Sequence, residues 1–231
     1  MILTSGLLAS QDHVVHGFTT RWRTGERRRE RNLGVGASVE VWSEVAAQIG
    51  AADVGVALVS QVHGARILEA RGPGVVGEAD AVTTDRPGLL LAIRTADCVP
   101  ILVVGSGRVM AIHAGWRGLA GGVIGSSLDR WSVGSGSVAA IGPCICVECY
   151  EVGSEVIDGI GASVPQDVFR REGASRAHAD LRAAARWQLE RAGVERIETL
   201  ETCTRCDSDL HSHRRDGAPA GRQAAIIGLM A

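Results

Sequence analysis

Val99-Pro100-Ile101-Leu102-Val103-Val104-Gly105-Ser106-Gly107-Arg108-Val109-Met110-Ala111-Ile112-His113 is the stretch that decides the fold. It reads as two strands, Val99–Val104 and Val109–His113, joined across Gly105-Ser106-Gly107. On either side of this pair the chain keeps alternating. Strands are expected at Val14–Thr19, Val56–Ser60, Arg66–Glu69, Ala81–Thr84, Leu89–Ile93, Val138–Ile141, Ile197–Leu200 and Gln223–Leu229. Helices are expected from Ser38 as cap through Gln48, with Val41, Trp42, Val45 and Ile49 on one face, and over Leu119–Trp131, Val152–Ile160 and Ala179–Arg191. Many strands with few tight hairpins predict an α+β fold of mixed sheets flanked by helices, in a single domain over 1–231.

Composition removes several function classes. The 231 residues carry a net charge of -2, so no basic field points to nucleic acid. All 24 basic side chains are Arg. Without Lys there is no Schiff-base lysine, no P-loop lysine and no kinase lysine. Aromatic residues are 3% of the chain, too few for a base-stacking surface along a single strand. No apolar run approaches a membrane span, and Met1–Ser10 lacks the basic flank of a signal peptide, so a cytoplasmic protein is expected. The Arg-rich tract Arg21–Arg31 reads first as a solvated loop and second as an arm near an anionic ligand.

Three polar residues stand at the ends of apolar runs: His63, Cys98 and His113. Two imidazoles and a thiolate suit zinc, and three protein ligands leave the open position of a catalytic site. They can meet only if the fold brings strand ends together. By spacing alone, a His beside a strand is more often an ordinary, partly buried residue. Two further pairs, Cys146-Val147-Glu148-Cys149 and Cys203-Thr204-Arg205-Cys206, have zinc-knuckle spacing within each pair. The long separation between them argues instead for unligated, partly buried thiols, with Cys146 and Cys206 dispensable. The turn Gly115-Trp116-Arg117-Gly118 follows His113 and offers helix-N-terminal amides and a guanidinium to an anion, or is simply a tight turn. His211-Ser212-His213-Arg214-Arg215-Asp216-Gly217 is a second polar candidate, with a charged hairpin as the plainer reading.

Taken together these segments resemble the YfiH-type family, once called polyphenol oxidoreductase laccases and later described as purine nucleoside phosphorylases. The matching pieces run nearly the whole chain: His16-Gly17-Phe18-Thr19-Thr20-Arg21, Asn32-Leu33-Gly34, Gln61-Val62-His63-Gly64, Ala79-Asp80-Ala81, Thr95-Ala96-Asp97-Cys98-Val99-Pro100, His113-Ala114-Gly115-Trp116-Arg117-Gly118, Ile141-Gly142-Pro143-Cys144-Ile145, Cys149-Tyr150-Glu151-Val152-Gly153, Cys203-Thr204, Ser212-His213-Arg214-Arg215-Asp216-Gly217 and Gly221-Arg222. The resemblance implies a sandwich of mixed β-sheets with outer helices, similar to a cysteine-deamidase toxin, and a zinc held by His63, Cys98 and His113. It also implies phosphorolysis of adenosine, inosine, guanosine and methylthioadenosine, with some adenosine deamination. Purine nucleosides and phosphate are then the partners, with Gln61, Arg117, His213 and Arg215 as candidates to bind them and Asp97 to orient a ligand. His211 and His213 stand where the family commonly has aromatic residues, and Cys146 and Cys206 are outside its pattern.

The laccase label fails on the residues. A multicopper oxidase needs a blue-copper site and a His-rich trinuclear cluster. This chain has 7 His and no His-Cys-His bridge, so multicopper chemistry is rejected, although copper itself is a possible occupant. The His-x-Glu and Pro-Cys-x-x-Cys signature of the classical zinc deaminases is also missing. Two other classes stay open: a cysteine-dependent amide hydrolase using Cys98 and His113, in peptidoglycan quality control, and a nucleoside-binding module without turnover.

Overall fold

Strand residues pointing in opposite directions are both buried here, and that sets the layering. Along Leu89–Thr95, Leu89, Leu91 and Ile93 face one way and Leu90 and Ala92 the other, and all five are buried. A strand like this needs cover on both faces, which reads in sequence as an unbroken apolar run. The computed structural model describes residues 1–23, 26–172 and 176–231, and it supplies that cover with two sheets and outer helices.

One six-stranded sheet has the order Ile2–Leu3, Val14–Thr19, Gln223–Leu229, Leu89–Thr95, Gly55–Ser60, Gly74–Glu78. The other has the order Arg196–Thr199, Val138–Ile141, Val99–Gly105, Arg108–Ala114, Ala81–Thr84, Ile67–Glu69. Between them lies a core of Phe18, Leu91, Ile93 and Ile227 from the first and Val82, Leu102, Val109 and Ala140 from the second. The outer face of the second sheet, with Ile101, Met110 and Ile112, packs on helical residues Leu119, Ile124, Leu128 and Leu189. The outer face of the first, with Leu90, Ala92 and Ile226, packs on Trp42, Val45 and Ala46 of the helix Val39–Gln48. Both sheets are mixed: Gly55–Ser60 runs parallel to both its neighbours, as Val138–Ile141 does to Arg196–Thr199, while most other pairs are antiparallel. The α+β sandwich expected from the sequence is the fold observed.

The deciding hairpin forms as read, with the turn narrowed to two residues. Gly105 pairs with Arg108, leaving Ser106 (φ 51) and Gly107 (φ 72) between them. Two consecutive positive φ values match the twist of the flanking strands. The expected helix Leu119–Trp131 is corrected to two, Trp116–Ala120 and Val123–Asp129, because Gly122 adopts φ 74 and breaks the ladder. The other helices shift slightly, to Ser154–Gly161 and Leu181–Arg191, the latter capped by Asp180 accepting from the Ala183 N–H at 2.9 Å. Within the Arg-rich tract, Trp22–Arg23 pairs antiparallel with Glu26–Glu30, so the expected solvated loop is in part a pair of strands. Arg31 at its end is 1% exposed and donates to Gln48 Oε1 at 2.9 Å. The side chains of Arg27 and Arg28 lie outside the described residues. No helix among the described residues is long and apolar enough to cross a membrane.

Candidate active site

Of the several crossings the chain makes between the two sheets, one is a sharp step of three residues. Leu89–Thr95 ends in the first sheet, Val99–Gly105 begins in the second, and Ala96-Asp97-Cys98 joins them with Asp97 at φ 92. Cys98 therefore sits at one end of the sandwich, between the sheets. His63 reaches the same place from the loop after Gly55–Ser60, itself held at φ 60. His113 arrives from the other sheet, one residue before the end of Arg108–Ala114. One ligating atom from each of the three lies within 4.8 Å of the others. Cys98 Sγ is 3.9 Å from His63 Nε2, and the two imidazoles meet edge to face at 4.9 Å.

Asp80 organises this cluster. It is wholly buried and accepts the backbone N–H groups of Val62 (3.2 Å), His63 (2.9 Å) and Gly64 (2.6 Å) together with the Nδ1–H of His113 (2.8 Å). One carboxylate thus fixes the backbone of one ligand and the tautomer of another, leaving His113 Nε2 aimed at the cluster. Burial opposes ionisation of Asp80, but the His113 and N–H bonds outweigh it and hold its carboxyl below the usual range. Burial also opposes charge on Cys98 and His113, yet their mutual attraction wins. The thiol is pulled down to about 6 and the imidazole up to about 9.

The donor set and the space fit a metal. Tetrahedral zinc with two N ligands and one S ligand places ligand atoms roughly 3.3–3.6 Å apart, a small contraction of what is seen. Room is kept by Gly115, where a Cβ would stand 3.0 Å from Cys98 Sγ and 3.1 Å from His63 Cδ2. The cluster opens into a pocket of about 700 Å³, within the usual range for small-molecule sites. Arg94, Arg117, Arg214 and Arg222 line it, and none forms an ion pair among the described residues. Arg94 is made less comfortable as a cation first by burial and then by the charge of Arg222. Trp116 and Tyr150 add two aromatic faces, each stacked by a guanidinium: Arg117 at 4.3 Å and Arg214 at 4.8 Å.

The family model described as multi-copper polyphenol oxidoreductase laccase matches residues 16–230. The chain belongs to this family. A purine nucleoside phosphorylase of Deinococcus radiodurans is 38% identical over 231 residues, covering 94% of this chain and 89% of that protein. An adenosine deaminase, RL5, from an unknown prokaryotic organism is 38% identical over 155 residues, 62% of this chain and 59% of that one. The crystal structure of YlmD from Geobacillus stearothermophilus superposes with a TM-score of 0.86 at 32% identity, covering 95% of this chain and 93% of that chain.

Measured against what the laccase-type family led the sequence to expect, the residues divide. His63, Cys98, His113, Arg117 and His213 all reach the pocket. Gln61 lines it too, but its amide is clasped to the Arg94 backbone, donating to the carbonyl at 2.7 Å and accepting the N–H at 2.8 Å. It aligns two strand ends. Arg215, the other phosphate candidate, stands apart from these. It does not line the pocket. Its guanidinium donates to the carbonyls of Thr204, Arg205, Asp207 and Leu210 and to both Asp216 oxygens. Asp97, expected to orient a ligand, lines the pocket with its carboxylate bonded elsewhere. Its oxygens accept from Thr204 Oγ1 and the Arg214 N–H, each at 2.6 Å, while Asp80 does the orienting. His211 is buried and donates to the Arg31 carbonyl at 2.7 Å, away from the pocket. The helix Trp116–Ala120 has only five residues, so an anion there depends on Arg117 more than on a helix dipole. Sequence reasoning missed Asp80, Arg94 and Arg222. Asp80 and Arg222 both stood inside quoted motifs, while Arg94 was visible only as a charge next to Thr95. Finally, the two CxxC pairs do converge, against the expectation drawn from their separation.

Proposed function

We infer that this protein is a zinc-dependent purine nucleoside phosphorylase that also deaminates adenosine. The observation that carries this is the convergence of His63, Cys98 and His113 at a pocket lined by four arginines that form no ion pair among the described residues. His63 Nε2, Cys98 Sγ and His113 Nε2 are the atoms that would hold the metal. A zinc ion there supplies Lewis acidity and an open position for an oxygen ligand.

The chain's own residues do the rest. Phosphorolysis brings a phosphate oxygen to C1′ of the ribose while the C1′–N9 bond breaks and its electron pair leaves with the purine, which takes up a proton. Phosphate must therefore sit beside the ribose. Arg117, Arg94 and Arg222 supply the cations, and Arg can grip two phosphate oxygens at once. Trp116, Tyr150 and His213 line the space where the base would sit, the Trp116 and Tyr150 rings each already carrying a guanidinium on one face. Adenosine, inosine, guanosine and methylthioadenosine are the substrates this reading names. The names of relatives at 36–39% identity support it.

The test is product analysis. Purified protein with inosine and phosphate should yield hypoxanthine and ribose 1-phosphate, and with adenosine also inosine without any phosphate requirement. Base release that ignores phosphate, or no turnover of any purine nucleoside, overturns the reading. A second reading has one observation in its favour: Cys98, His113 and Asp80 also stand in the order of a thiol–imidazole–carboxylate triad. A cysteine amide hydrolase would survive chelation and die on alkylation of Cys98, whereas chelation abolishes the zinc enzyme.

A further inference from the structure

The second cysteine cluster lies beside the pocket rather than in it. Cys146, Cys149, Cys203 and Cys206 bring their four sulfurs within 4.8 Å of one another, with Cys149 and Cys206 at 3.4 Å. We propose that these four thiols form a second, structural zinc site.

Three observations on the backbone support it. Each pair sits in a closed turn, Cys149 N–H donating to the Cys146 carbonyl and Asp207 N–H to the Cys203 carbonyl, both at 3.0 Å. The two turns are laid side by side by a parallel bridge between Cys144 and Cys203, with the Thr204 N–H bonded to the Cys144 carbonyl at 3.1 Å. The Cys146 N–H points at Cys203 Sγ at 3.3 Å, the kind of donation that stabilises a thiolate held by a metal. Tetrahedral zinc with four sulfurs requires S···S separations of roughly 3.8 Å, so the cluster needs little rearrangement. Four thiolates leave no open position, which makes the site structural. Binding displaces the thiol protons to solvent.

The location says what such a site fastens. Tyr150 follows Cys149 directly and lines the pocket, and Thr204 follows Cys203 and holds Asp97. The knuckle ties these two loops together over a sequence separation of 57 residues, fixing one wall of the pocket without touching the ligands His63, Cys98 and His113.

The experiment is metal analysis of the full chain purified under reducing conditions, with its variants. The wild type should hold about two zinc ions, and Cys206→Ser and His63→Ala should each hold about one. In native His63→Ala, the four thiols should resist iodoacetamide until the chain is unfolded with a chelator present. That measurement decides the matter even if Cys206→Ser does not fold. A His63→Ala chain without zinc, iron in place of zinc, or a disulfide within the cluster overturns the proposal. A single zinc that follows Cys206 and ignores His63 upholds it while overturning the zinc enzyme reading instead.

Discussion

Asp80→Asn is the substitution that probes the active-site reasoning most directly. The side chain is wholly buried. One carboxylate oxygen accepts from His113 Nδ1 and the His63 N–H, and the other from the Val62 and Gly64 N–H groups. Asn has the same shape, but one of its two terminal atoms becomes a donor. Whichever way the amide turns, its NH2 faces two N–H groups, so at least two charge-assisted bonds are lost. At about 1.5–3 kcal/mol each this is about 3–6 kcal/mol. For a chain of 231 residues the melting temperature should fall by roughly 6 °C or more. Zinc affinity should fall about 10- to 100-fold, because His113 loses the partner that sets its tautomer. The assays are thermal unfolding and competition with a fluorescent zinc chelator. Asp97→Asn is the control: it loosens Thr204 and the Arg214 backbone but should leave zinc affinity within about threefold. Unchanged zinc affinity in Asp80→Asn, with or without a lower melting temperature, refutes the orienting role.

Other expectations follow from the same geometry. Gly115→Ala places a methyl 3.0 Å from Cys98 Sγ, so the purified chain should fold yet lose most metal at this site by elemental analysis. Arg117→Ala should raise the KM for phosphate, with a loss of about 1.5–3 kcal/mol, or on the order of 10- to 100-fold, while adenosine deamination falls much less; steady-state kinetics of both reactions decides it. Arg215→Ala should instead lower the melting temperature with little change in phosphate KM, since its guanidinium is taken up by the carbonyls of the loop 204–210 and by Asp216. His16 is buried, accepts the Ser5 N–H on Nε2 at 2.8 Å, and has its pKa lowered by that burial despite Glu198. Its stabilising effect is present above the unfolded value of about 6.5 and is lost as pH falls below it. Urea midpoints between pH 5 and 8 should drop on the acid side in the wild type and flatten in His16→Gln.

How much the sequence disclosed depended on how local the physics was. The hairpin around Ser106-Gly107 was legible because turn and strands are contiguous. The buried strands were legible because cover on both faces leaves a plain apolar run. Gly74–Glu78 was not, since Gly74 and Gly77 both take positive φ on an edge strand with few packing demands. Gly121-Gly122 was a visible breaker that the flanking apolar residues outweighed. In the site, the three ligands were named from their residue types and from resemblance. Asp80 went unassigned because only the folded chain shows a carboxylate facing four donors. Arg117 stood ahead of Arg215 as the anion's partner because of its turn, and what the sequence could not show is that the Arg215 guanidinium is held by backbone carbonyls and Asp216. The two CxxC pairs illustrate the same limit, since long separation weakens a spacing argument without preventing contact.

His63 belongs to one sheet, His113 to the other, and Cys98 to the strand-to-strand step between them. An ion gripped by all three acts as a rivet through the open end of the sandwich. Its affinity then becomes a gauge of how the sheets are aligned. Trimming Leu102 or Ile93 in the layer between them would register as weaker metal binding before any catalytic group was touched. Conversely, metal occupancy adds to global stability by mass action. Amide exchange at this end of the molecule should slow on loading, although no strand there gains a hydrogen bond.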